Sequence, residues 1–295
     1  MDSAPELLFS RLIDDAGLFP PARKPMERAA ADHRRARAGA HAWILGRFLC
    51  PVSRLDGLTG AAEEGWRIGA IFDGDDWRRD LERVRAFAGP GAVRALELRL
   101  PADLEDAARV LAATGADVFF EVPPADAPAA LEAIAEARAA ADALAGAPAV
   151  ASAGPLLGAK LRCGGLTADA FPSDGAVAGF LRAARGLNVP FKLTAGLHHP
   201  FRTRDEAIGV LQHGFLNLLA ATALDVEDLE AVVAEEDPGA FTVAADGLRW
   251  RGARAEIDAL RLARRLFTAY GSCSFDEPVG DLLAAGVLDG AVTRA

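Results

Sequence analysis

Lysine is scarce in this chain of 295 residues: only Lys24, Lys160 and Lys192 occur, where arginine is abundant. Cysteine is scarce as well. Cys50, Cys163 and Cys273 lie far apart with no C-x-x-C pair, which argues against a disulfide framework. Basic residues fall short of acidic ones, 32 − 42 = −10, so the clustered cations that a nucleic acid or an anionic membrane surface requires are missing. No run approaches the roughly 18 uninterrupted apolar residues of a spanning helix, and no secretory h-region follows Met1. These absences point to a cytoplasmic protein whose partner is a small molecule, with no nucleic acid and no membrane. Homo-oligomerisation stays open, and no motif calls for a cofactor or a bound metal.

What is present is 51% hydrophobic residues, enough for one large core in a single domain over 1–295. Short apolar runs at 42–50, 66–72, 93–100, 117–122, 157–162 and 190–195 read as strands, with a seventh near 214–221 and an eighth unplaced. Helical patterns at about 75–88, 102–114, 127–144, 173–186 and 204–213 separate them. The Ala-rich tract 127–151 reads as helix followed by loop. Repeated βα units without a G-x-G-x-x-G after the first strand predict an α/β fold, a (β/α)8 TIM-type barrel. Residues 1–40 are expected to form an N-terminal helical cap, its first helix stopping at Gly17 and Pro20–Pro21. Residues 240–295 are expected to hold a hairpin at Asp246–Gly247 and helices, one of which starts at Ser274 through the Ser274–Glu277 capping-box spacing.

Both interior lysines lie in strand-like runs that end in glycine, "AKLRCGG" at 159–165 and "PFKLTAG" at 190–196. Inside a barrel an ammonium is either paired with a carboxylate or driven towards the neutral amine. Convergence of Lys160, Arg162 and Lys192 would favour the neutral amine, which attacks a carbonyl to form an imine. Glu121, with Phe119 on its face, suits a proton shuttle, and Glu97 is a second carboxylate at a strand end. Arg47, expected at the end of the first strand, offers a guanidinium fork for an anion. Gly165, Thr194, His198, His199 and Ser272 complete the candidate substrate-binding residues at strand ends. Cys163, beside cationic residues, reads as a lowered thiol or a small apolar filler.

The segment 159–196 resembles the two lysine-bearing strands of class I aldolases of the deoxyribose-phosphate aldolase type, with Lys160 and Lys192 separated by 192 − 160 = 32 residues. "YGSCSF" is similar to that family's C-terminal anion loop at Gly271, Ser272 and Ser274. The resemblance covers about a quarter of the chain. It implies a Schiff-base lyase on a small anionic carbonyl metabolite, with Lys160 as nucleophile, Lys192 as electrostatic tuner, and Glu121 or Glu97 in place of the family's aspartate. In that family the lysines sit on strands six and seven, whereas the strand count here puts them on five and six. Two alternatives stay open at this point: a metal-dependent lyase or isomerase using Glu97, Glu121 and His198, and a non-catalytic binder of a phosphorylated or carboxylated molecule.

Overall fold

The computed structural model describes residues 3–144 and 154–288. Eight parallel strands close into a barrel, numbered here β1 (Ile13–Asp15), β2 (Leu45–Pro51), β3 (Arg67–Ile71), β4 (Ala92–Arg99), β5 (Asp117–Val122), β6 (Leu157–Arg162), β7 (Phe191–Thr194) and β8 (Phe267–Ser272). They neighbour one another in chain order, and β1 closes the ring between β2 and β8. A helix follows each strand, so the chain is a (β/α)8 barrel, as the alternation of patterns predicts.

The strands form because one face of each must meet the surrounding helices. On β5, Val118, Phe120 and Val122 are buried on the outer face, while Asp117, Phe119 and Glu121 have the parity of the barrel interior. Helix Ala127–Leu144 covers this face with Leu131, Ile134 and Ala137, the spacing that predicted it; the loop expected after it lies outside the described residues. Two crossover helices carry side-chain caps. Asp76 accepts from Arg78 N at 2.9 Å and Ser173 from Ala176 N at 3.2 Å, each contributing about 1 kcal/mol.

Three sequence expectations are corrected, and the unplaced eighth strand is located. The N-terminal helix ends at Phe9, the backbone turns at Arg11 with φ 51°, and Ile13–Asp15 is the first barrel strand rather than helix. A three-residue strand is too short to show a period of two. Residues 214–221 are helical within Phe215–Ala223, whose nine residues are all buried; a short, largely apolar run cannot separate a buried strand from a buried helix. The expected helix at 204–213 is a small antiparallel hairpin, Thr203–Asp205 with Val210–Gln212. The eighth strand is Phe267–Ser272, placed after helix Ile257–Leu266.

Around Asp246–Gly247 the chain forms the expected hairpin, extended to a three-stranded antiparallel sheet (Phe241–Ala244, Gly247–Trp250, Ala253–Glu256) outside the barrel. The N-terminal helix is tied to this extension by Ala4 N to Ala245 O at 3.0 Å, and to helix Ile257–Leu266 by Arg264, which donates to the carbonyls of Leu7 and Ser10 at 3.3 and 3.0 Å. The last helix begins at Asp276, two residues after Ser274, whose hydroxyl still accepts from Glu277 N at 3.2 Å. No helix among the described residues is long and apolar enough to cross a membrane.

Candidate functional site

The recovered β1 moves Lys160 to β6 and Lys192 to β7, as directly paired neighbours in the register. Both side chains enter the barrel, and both meet carboxylates. Lys160 Nζ lies 2.9 Å from Glu121 and 3.3 Å from Glu97; Lys192 Nζ lies 2.6 Å from Asp14 and donates a short hydrogen bond to Glu97. Glu97 therefore bridges the two ammonium groups.

The row continues downward. Asp14 accepts from Arg47 N at 2.7 Å and sits 3.5 Å from its guanidinium, which reaches Asp117 at 2.5 Å. Three cations (Arg47, Lys192, Lys160) and four carboxylates (Asp117, Asp14, Glu97, Glu121) thus alternate through the barrel on six different strands. Small residues make room for them. A Cβ at Gly46 would stand 2.3 Å from Asp14 Oδ1, and one at Gly69 would meet Leu49 at 2.5 Å with Glu97 beyond it at 3.7 Å. Phe119 supplies an apolar wall, its ring centroid 5.8 Å from Lys192 Nζ and 5.9 Å from Arg47 Cζ.

The electrostatics follow from this pairing. Burial pushes the Glu97 carboxyl up, but the charges of Lys192 and Lys160 outweigh it and hold the group below its ordinary value. Asp14 is likewise raised by burial and lowered further by Lys192 and Arg47. Burial alone would depress the Lys160 ammonium; Glu97 and Glu121 reverse this and raise it. The expected crowding of three cations is therefore corrected. Arg162 is exposed at the end of β6, and carboxylates surround the lysines instead.

Accessibility divides the two amines. Lys192 is sealed at 0% exposure, whereas Lys160 retains 5% and touches Glu121, which is half-buried towards the C-terminal mouth. Arg162 and Thr194 pair in register one step above the lysines, with Gly271 beside Thr194. Arg162 and Arg99 are both exposed there without an ion pair among the described residues, leaving two guanidinium groups available at the mouth where barrel loops carry function. The glycines that end both lysine strands have a steric reason. A Cβ on Gly164 would stand 2.8 Å from Gly196 Cα and 2.5 Å from the Phe171 ring, and Gly196 has φ +67°. The two loops cross in backbone contact under that ring.

Other candidates are placed differently from their expected roles. Arg47 is the third residue of β2, 7% exposed and engaged by Asp14 and Asp117, so it is an interior ion-pair member rather than a clamp at a strand end. Glu97 faces lysines, not the mouth. His198 Nδ1 is 3.1 Å from Glu277 and His199 Nδ1 2.6 Å from Asp281, so both histidines latch the loop after β7 to the last helix. Ser272 is buried with its hydroxyl donated to Ser274 O at 2.7 Å. Gly165 is half-buried after β6, close under Ala170. Burial pushes the Cys163 thiol up to about 12, with Arg162 only partly opposing it, which makes it filler.

Sequence reasoning missed Asp14 and Asp117. Asp117 carries a signal, the same parity as Phe119 and Glu121; Asp14 carries none as an interior residue, because its strand of three residues is too short to alternate. Among the described residues no group of three His, Cys, Asp or Glu side chains is arranged to hold a metal ion, and His198 turns to Glu277 instead of joining Glu97 and Glu121. Compared with known proteins, the chain matches no family model and no curated relative.

Proposed function

We propose that this barrel is a Schiff-base lyase of the class I aldolase type, acting at its C-terminal mouth on a small anionic carbonyl compound. The observation that carries the reading is the asymmetric lysine pair: two amines on adjacent strands share Glu97, and only the outer one, Lys160, touches a carboxylate that reaches the mouth.

Because Lys160 is held as an ammonium, its activation is a proton transfer and not a standing neutral state. Glu121, 2.9 Å away, accepts the proton as the carbonyl approaches, and the freed amine adds to the carbonyl carbon. Loss of water gives an iminium. Glu121, having passed its proton to that departing water, takes the β-hydroxyl proton as the carbon–carbon bond breaks, and the bond's electron pair moves to the iminium nitrogen. Protonation of the enamine and hydrolysis then restore the amine. Lys192 neutralises Glu97 from below and so limits how strongly Glu97 retains the Lys160 proton. Arg162, with Thr194 beside it, meets the anionic group of the substrate.

The raised Lys160 value favours a second reading, in which both lysines are fixed charges and the mouth binds a phosphorylated or carboxylated ligand without reacting. One experiment separates the two. The protein is incubated with pyruvate, acetaldehyde or glyceraldehyde 3-phosphate, reduced with borohydride and mapped by peptide mass. Covalent mass on Lys160, forming faster at pH 9 than at pH 7 because the ammonium must lose its proton, is the expected result. Ligand-induced stabilisation with no adduct, or adducts on Lys24 alone, refutes the imine.

A further inference from the structure

The opposite end of the barrel carries a second concentration of arginine that the imine chemistry does not use. An open depression of about 710 Å³ is lined by Arg11, which precedes β1, by Arg67 at the start of β3, and by Arg94 near the start of β4, with Trp66, Gly65 and Gly91 between them. Arg37 adds a fourth guanidinium, its Nη2 3.4 Å from where a Cβ of Gly65 would stand. Glu64 is the one acidic residue in the lining.

Elsewhere arginines such as Arg28, Arg34, Arg78 and Arg251 are paired with Asp or Glu, in a chain whose acids outnumber its bases by 42 to 32. Here Arg11, Arg37, Arg67 and Arg94 have no ion pair among the described residues, and the buried Nε of Arg67 has no hydrogen-bond partner. Below them Arg47 adds a further positive charge, and its nearest carboxylates, Asp14 and Asp117, are already engaged by it. Burial and the neighbouring charges of Arg47, Arg11 and Arg94 all push the Arg67 guanidinium down, with Asp117 only partly opposing them. Like charges gathered in one concave place are repulsive unless an anion joins them. Glycine at 65 and 91, with φ +78° and +106°, keeps the floor of the depression free of side chains. Guanidinium forks match the paired oxygens of phosphate groups.

We propose that the N-terminal end of the barrel is a binding site for a multiply charged phosphate compound, a diphosphate or triphosphate, held by Arg11, Arg67 and Arg94. The volume is that of a small-molecule site. The site is separate from the C-terminal mouth and stands whether or not the imine chemistry does.

Calorimetric titration of the whole protein with inorganic pyrophosphate, and separately with ATP, at low ionic strength tests it. Saturable one-to-one binding is expected, weakened about tenfold or more by Arg94→Gln and by Arg11→Gln, since each removes a charge-assisted contact. Both side chains are exposed, so neither substitution threatens folding. Arg109→Gln, on helix Leu104–Ala112 and paired with Asp106, should leave affinity unchanged. Absence of saturable binding overturns the proposal. So does binding that survives both substitutions, or that Arg109→Gln weakens equally.

Discussion

Replacing Lys192 with methionine keeps most of the side-chain volume and removes the charge shared by Asp14 and Glu97. Lys192 is fully buried, and both acceptors are at 0–1% exposure, so water cannot substitute for the lost ammonium. Removing one partner of a buried ion pair typically costs about 3–5 kcal/mol, and here two carboxylates lose a shared partner, Asp14 keeping only Arg47 and Glu97 only Lys160, so a loss within that range is expected. That is a large share of the roughly 5–15 kcal/mol that holds a domain folded. The pH dependence has a definite sign. In the parent protein Asp14 and Glu97 have lowered carboxyl values, so their stabilisation is present above the unfolded carboxylate value near 4 and is lost as pH falls through the lower folded values. In Lys192→Met each carboxyl has lost one of its two cations and should protonate more readily than in the parent, so the deficit should shrink as pH drops from 7 to 5. Urea unfolding of both proteins at the two pH values measures this. Combining Lys192→Met with Asp14→Asn should recover part of the loss, because one incompletely neutralised buried charge is gone. A deficit under about 1 kcal/mol at pH 7, or one that grows on acidification, would refute a buried alternating row of charges, given what such pairs usually contribute.

Alkaline conditions probe Lys160: its raised value contributes stability that is complete below the ordinary lysine value of 10.5 and fades as pH rises through the higher folded value, so Lys160→Met should flatten the alkaline limb of the unfolding midpoint against pH. Gly164→Ala should cost about 1–3 kcal/mol through contact with Gly196 and Phe171, while Gly179→Ala, with open space inside helix Asp174–Gly186, should be neutral or stabilising by up to about 1 kcal/mol. Burial pushes the Cys50 and Cys163 thiols to about 12, so iodoacetamide at pH 8 should leave both unmodified in native protein and alkylate them once urea is added, as read by mass. Arg264→Met should lower stability by about 2–4 kcal/mol and loosen the N-terminal helix, because the carbonyls of Leu7, Ser10 and Thr268 lose their donor; amide exchange over residues 4–9 measures it.

Six of the eight barrel strands were legible because each alternates or runs apolar for several residues between turn signals, and helix Ala127–Leu144 has the expected bounds, although Leu144 at the end of its apolar spacing is exposed. The two that escaped flank the closure of the ring. Ile13–Asp15 is too short to show alternation, and Phe267–Ser272 follows helix Ile257–Leu266 with no breaker between them. The site was legible in part for the same reason. Lys160, Lys192, Glu97 and Glu121 could be found by asking why charged residues stand inside strands, and their convergence is what the register delivers. Their protonation was not legible, since it depends on Asp14, hidden in the misread strand, and on Arg162 lying outside the interior.

The Asp14–Lys192 contact joins positions 178 residues apart. As the chain is synthesised, Asp14 leaves the ribosome long before β7 exists, and its carboxylate must stay hydrated until then. With interior charges drawn from six strands, the β1–β4 half holds Asp14 and Glu97 against Arg47 alone and cannot neutralise its own centre. Assembly is therefore expected to finish in one late, cooperative step, and a fragment ending between β4 and β5 should remain unfolded until the rest of the chain is added.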